Sequence, residues 1–108
     1  MQKPLSAGKL VDMAGNTYPL SIGQNTIGRK AQTSNATIQI LTNDRTMSRN
    51  HAVIYVENIN GRMQHTLKNW ENKNPTCHNN TPLLADDQDI LNEGDQITLG
   101  KTIVTFKL

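Results

Sequence analysis

Ser48-Arg49-Asn50-His51 lies where a polar run, residues 42–50, gives way to the apolar, β-branched run Ala52-Val53-Ile54-Tyr55-Val56. A change of that kind marks a loop meeting a strand. Two similar junctions flank it. Upstream, Ile27-Gly28-Arg29 precedes the polar residues 30–35; downstream, Asn74-Pro75-Thr76 lies within the polar, asparagine-crowded residues 69–81.

The rest of the chain extends the same pattern. Turn-forming residues recur at short intervals: Gly8, Ala14-Gly15-Asn16, Ile22-Gly23-Gln24-Asn25, Asn58-Ile59-Asn60-Gly61, Asn92-Glu93-Gly94-Asp95 and Gly100. Between them lie strand-length runs at 9–13, 17–20, 37–41, 52–57, 63–68, 96–99 and 102–107, several alternating apolar with polar, as in Thr102-Ile103-Val104-Thr105-Phe106. No segment sustains a helical period near 3.6. Short strands with regular turn signals predict an antiparallel sandwich or barrel. Asn60-Gly61 reads as a type I′ hairpin turn, which needs positive φ at both central residues. Residues 11–18 read as a second hairpin around Ala14-Gly15-Asn16. There is no internal repeat, low-complexity tract or linker.

Composition narrows the function classes. A chain of 108 residues predicts a single domain spanning 1–108. Its formal charge of +2 is too small for a general polyanion binder, so no nucleic acid is expected. The lone Cys77 excludes an intramolecular disulfide framework and suits a reducing compartment. No apolar run approaches the roughly 20 residues of a membrane helix, and Met1-Gln-Lys-Pro is followed by no apolar core, so neither an anchor nor a signal peptide is expected. A cytoplasmic monomer follows, which could be a piece of a longer protein. His51, His65 and His78 lack metal-ligand spacing, and no cofactor or metal is expected. Cys77-His78 suggests a nucleophile and base, but adjacent residues on an extended segment face opposite ways and no orienting third group is evident.

Taken in order, Gly28-Arg29, Ser48-x-x-His51, Asn74-x-Thr76 and Gly94-Asp95-Gln96-Ile97-Thr98-Leu99-Gly100 resemble the forkhead-associated (FHA) domain family over about residues 20–108. The resemblance implies an all-β, two-sheet antiparallel sandwich of about eleven short strands with binding loops at one end. It also implies a non-enzymatic module that binds phosphothreonine peptides, with a phosphorylated protein or peptide as partner.

Chemistry and resemblance agree on the residues. A peptide phosphate asks for a fork of donors, small hydroxyl donors and exposed backbone N–H groups. Arg29 can supply the fork, because guanidinium geometry matches phosphate oxygens bidentately, and Gly28 leaves the backbone beside it unobstructed. Ser48 can donate its hydroxyl, while Arg49 and Lys73 add charge from two further loops. By resemblance, Arg29 and Ser48 contact phosphate, Asn74 hydrogen-bonds the peptide main chain, and His51, Thr76 and Asn79 support the loops. Trp70 is either a peptide contact or a cap on the sandwich edge.

The chain departs from the family pattern at four places. Pro75 replaces a glycine, removing an N–H and fixing φ near −65°. Asn80 replaces a second glycine, Lys73 a serine or threonine, and Asn69 an aspartate. Pro75 and Lys73 support a rival reading: a constitutive protein–protein or oligomerisation module that keeps the sandwich without phosphate dependence.

Overall fold

The computed structural model describes residues 7–70 and 74–108. These residues form eleven strands and no helix: β1 Lys9–Asp12, β2 Thr17–Pro19, β3 Gly23–Arg29, β4 Ile38–Ile40, β5 Ala52–Ile59, β6 Arg62–Asn69, β7 Thr76–His78, β8 Thr81–Pro82, β9 Gln88–Ile90, β10 Gln96–Leu99 and β11 Thr102–Lys107. One sheet has the order β2-β1-β11-β10-β7-β8, the other β4-β3-β5-β6-β9. The two-sheet β-sandwich expected from the sequence is the observed architecture. All pairings are antiparallel except β3 with β4, which run parallel, Ile27 opposite Ile38 and Arg29 opposite Ile40.

Alternation explains the core. Ile38 and Ile40 of β4, His65 and Leu67 of β6, Ile97 and Leu99 of β10, and Val104 and Phe106 of β11 all turn inward. β5 lies between β3 and β6, and its run Ala52-Val53-Ile54 is buried throughout, as a central strand should be. Leu10, Ile27, Met47, Ile54, Ile97, Leu99 and Phe106 are fully buried in one cluster, and the His65 ring tilts against Phe106 with centroids 4.6 Å apart. Burial also pushes the His65 imidazole pKa down. Its Nε2 accepts the Gly8 N–H at 2.9 Å, pinning the start of β1.

Both expected hairpins are present. Asn60 (φ 52°) and Gly61 (φ 85°) turn β5 into β6, and β1 pairs with β2 through Val11 and Thr17. Two local expectations fail. Ile22-Gly23-Gln24-Asn25 is not a turn; β3 begins at Gly23 because the Asn25 amide is buried and satisfied, donating to the carbonyls of Ser21, Gly23 and Ile54 and accepting the Ser21 N–H. Residues 69–81 are not one long loop either, since β7 pairs with β10 across Thr76–Leu99 and His78–Ile97.

Pairing directions put several segments at one end: the carboxyl end of β3, the amino ends of β5 and β7, the carboxyl end of β6 and the β10–β11 turn. The β3–β4, β4–β5 and β6–β7 loops therefore gather there, on rigid strands.

Candidate functional site

The β4–β5 loop is the centre of this end. Three successive carbonyls in it accept hydrogen bonds from neighbouring segments. The Thr46 carbonyl accepts Asn74 Nδ2 at 2.9 Å, the Met47 carbonyl accepts Arg29 Nε at 3.2 Å, and the Ser48 carbonyl accepts the Arg29 N–H at 3.0 Å. The Met47 side chain is wholly buried and plugs the loop into the core.

Arg29 is half-buried, at the last position of β3. Among the described residues only its Nε finds an acceptor, and nothing accepts from its two terminal nitrogens. The guanidinium is thus held by its inner edge.

Gly28 has a role beyond leaving its own backbone clear. A Cβ there would lie 1.8 Å from the Arg49 carbonyl oxygen and 2.8 Å from that of Ser48. The backbone of the β4–β5 loop occupies the space a side chain would need, so glycine is required for the two segments to touch.

His51 is fully buried. Its Nδ1 accepts the Ser48 N–H at 3.0 Å, which places the ring proton on Nε2, facing the Pro75 carbonyl at 3.5 Å. Burial pushes its pKa down and favours the neutral ring, against the opposing pull of the Pro75 and Asn74 carbonyl contacts and of Asp44. The histidine therefore ties the β4–β5 loop to the start of β7, and the proline retains the carbonyl that this contact uses.

Arg49 is exposed, and its Nη1 donates to the Thr33 hydroxyl across the β3–β4 loop. Asn74 gives one amide proton to the Thr46 carbonyl, which fixes the side chain and orients its Oδ1 acceptor and second N–H. The Thr76 side chain is wholly buried, and its hydroxyl has no hydrogen-bond partner among the described residues. Asn79 sits at φ 49°, where its Oδ1 accepts the Gln96 N–H at 2.7 Å and its Nδ2 donates to Asp95 at 3.1 Å. It secures the β7–β8 turn. Lys73 lies outside the described residues. Trp70, at the end of β6, is 40% exposed.

His78 is the feature the sequence reading missed. Its Nδ1 lies 2.8 Å from Asp89 Oδ2 and its Nε2 2.7 Å from Asp95 Oδ2. Orienting carboxylates are therefore present, contrary to expectation, but they occupy both ring nitrogens and leave no base for Cys77. Burial disfavours the charged ring, yet the two carboxylates outweigh it and raise the His78 pKa. β7 belongs to one sheet and β9 to the other, so the imidazolium bridges the sandwich edge. Among the described residues no three His, Cys, Asp or Glu side chains form a cluster suited to a metal ion. No helix among them is long and apolar enough to cross a membrane.

The FHA domain family model matches residues 25–100. A structure from work on phosphothreonine-dependent FHA domain interactions is 28% identical and superposes with a TM-score of 0.77, over 95% of this chain and 97% of that one. The FHA domain of FhaA, solved in complex with the intracellular domain of another protein, is 27% identical with a TM-score of 0.76, over 94% and 100%. EmbR of Mycobacterium tuberculosis, in complex with a low-affinity phosphopeptide, is 25% identical with a TM-score of 0.73, over 94% of this chain and 24% of that one. No curated protein sequence matches the chain.

Proposed function

The chain belongs to the FHA domain family, and from that premise we propose that it is a phosphothreonine-peptide-binding module mediating phosphorylation-dependent protein–protein interaction. The observation that carries this reading is the Arg29 guanidinium. Its inner edge is anchored on the Met47 carbonyl and its outer fork has no protein acceptor among the described residues. A fork held in that way suits a dianionic phosphoryl group with three acceptor oxygens. Ser48, joined to Arg29 through its carbonyl, contributes a hydroxyl beside it, and Arg49 contributes charge at the rim. Lys73 would add a cation from the β6–β7 loop, and Asn74 Oδ1 would accept a peptide N–H. Gly28, His51, Thr76 and Asn79 shape the loops without touching the ligand. The module performs no chemistry of its own; a kinase and a phosphatase write and erase the mark it reads. The expected setting is a monomer in the cytoplasm.

The test is a calorimetric titration of one threonine peptide in phosphorylated and unmodified form, the sequence taken from a phosphothreonine library screen. Binding confined to the phosphorylated form is expected. Equal affinity for both forms would instead favour a constitutive interaction module on the same sandwich.

A further inference from the structure

The β4–β5 loop is held from beneath by a residue the binding reading does not use. Asp44 Oδ2 accepts the Lys101 N–H of the β10–β11 turn at 2.9 Å and the hydroxyl of Thr102, the first residue of β11, at 2.7 Å. Its Oδ1 accepts the Thr46 N–H at 2.9 Å and the Thr46 hydroxyl. One carboxylate thus collects four donors from two segments that are far apart in the chain.

The same contact is close-packed at Gly100. A Cβ there would lie 2.4 Å from Thr46 Oγ1 and 2.6 Å from the Thr46 carbonyl carbon. The turn and the loop meet backbone to backbone, with Asp44 stitched between them. Above this seat lie the three carbonyls of Thr46, Met47 and Ser48, which hold Asn74 and Arg29.

We propose that Asp44 is a positioning residue of the phosphothreonine site, setting the height of the Thr46–Met47–Ser48 segment against the β10–β11 turn and thereby the direction of the Arg29 fork. This rests on the phosphopeptide reading above. The argument is geometric. Among the described residues the guanidinium is aimed by one bond, from Nε to the Met47 carbonyl, and a binding constellation works only when held within about 0.5 Å of its productive geometry. Asp44 fixes the residue before Met47 through two bonds to Thr46, so a slackened Asp44 lets the Met47 carbonyl drift and the fork tilt. The carboxylate is an anion at an end meant to receive another, which is tolerable because its charge is spent on four donors. Those hydrogen bonds prevail over burial and hold its pKa well below the ordinary carboxylate range.

The test compares wild type with Asp44→Asn and Thr102→Val, the latter keeping shape while removing one donor. Three quantities are measured below the melting temperature of every variant: affinity for the phosphothreonine peptide, affinity for its unmodified form, and solvent exchange of the Arg29 Nε–H by NMR. Affinity for the phosphorylated form should fall about tenfold in Asp44→Asn, the equivalent of one hydrogen bond to a charged group, and about threefold in Thr102→Val. The Arg29 Nε–H should exchange faster in both. Unchanged phosphopeptide affinity or unchanged Nε–H exchange overturns the proposal, even where the melting temperature drops, because Asp44 would then serve stability alone. Should Asp44→Asn not fold, Thr102→Val decides by the same criteria. A wild-type protein that binds both peptides equally would defeat the phosphopeptide reading itself, and the positioning role with it, whatever the variants do.

Discussion

The Ser48 backbone N–H donates to His51 Nδ1 at 3.0 Å, so the two defining residues of the Ser-x-x-His stretch are joined to each other through the main chain. The bond uses the serine's amide and not its hydroxyl. It divides the labour: His51 fixes the backbone at Ser48, and the serine hydroxyl takes no part in that bond.

That division gives the first prediction. His51→Ala should lower both the melting temperature and phosphopeptide affinity, because it opens a cavity and strands the Ser48 N–H. Ser48→Ala should lower affinity alone. A His51→Ala protein with unchanged melting temperature and no phosphate affinity would make the histidine a direct ligand.

Arg29→Ala should cost about 1.5–3 kcal/mol of phosphopeptide binding, the range for a hydrogen bond to a charged group. Arg29→Lys should recover little of it, since an ammonium keeps the charge and loses the planar fork. Family resemblance also implies an apolar niche for the threonine γ-methyl. Phosphoserine should therefore bind a few-fold more weakly than phosphothreonine, about 0.8 kcal/mol for one methyl. Calorimetry with matched peptides checks all three.

Gly28→Ala should destabilise by about 3 kcal/mol, the upper part of the overpacking range, because the added Cβ meets backbone and not a flexible side chain. Chemical denaturation measures it. A variant as stable as wild type would show that the β4–β5 loop can retreat from β3.

Thr76→Val should leave stability unchanged or raise it by about 1 kcal/mol, because the buried hydroxyl has no partner to lose among the described residues. A loss comparable to that of a broken hydrogen bond would reveal an acceptor that the structure does not show.

Stability should peak near neutral to slightly acidic pH, for opposed reasons on either side. The His78 pKa is raised above 6.5 by Asp95 and Asp89 acting against burial, so its contribution is complete below pH 6.5 and is lost as pH rises through the raised value. His51 and His65 are pushed below 6.5 by burial, so their contribution is present above pH 6.5 and fades as pH falls toward the lowered values. Asp89 of β9 and Asp95 of the β9–β10 turn are the charged groups facing His78. His78→Gln should remove the alkaline limb: less stable than wild type below pH 6.5, approaching it as pH rises. Urea denaturation from about pH 5 to 9 tests this. A wild-type curve that keeps rising through the alkaline range would count against a charged His78.

The sandwich and the loops gathered at one end were legible because they rest on ordered local signals. Gly28-Arg29, Ser48-x-x-His51 and the Asn60-Gly61 hairpin each declare themselves within a few residues. β3, β7 and β9 were not legible, since their strand character comes from partners. Gly23-Gln24-Asn25 carries turn formers, and only the tertiary satisfaction of the Asn25 amide makes it a strand. His78 looked idle because Asp89 and Asp95 lie 11 and 17 residues further on, and sheet pairing alone brings them to its ring. Asp44 looked like an ordinary loop aspartate because its partners Lys101 and Thr102 come almost 60 residues later. The family pattern singled out Gly28, but the close approach of the Arg49 and Ser48 backbone to it belongs to three dimensions.

Lys9 and Lys107 are register partners on β1 and β11, at the end of the sandwich away from the Gly100–Thr46 contact. Partners in an antiparallel ladder have Cα atoms about 5 Å apart, so a linker of a few residues can close the described chain into a ring. New ends can then be cut at the exposed Asn60-Gly61 turn, which lies at that same end. A circular permutant made this way leaves the loops at the Arg29 end intact. It also means that a dye or a surface attached at Lys9 or Lys107 sits at the end of the sandwich opposite the Gly100–Thr46 contact.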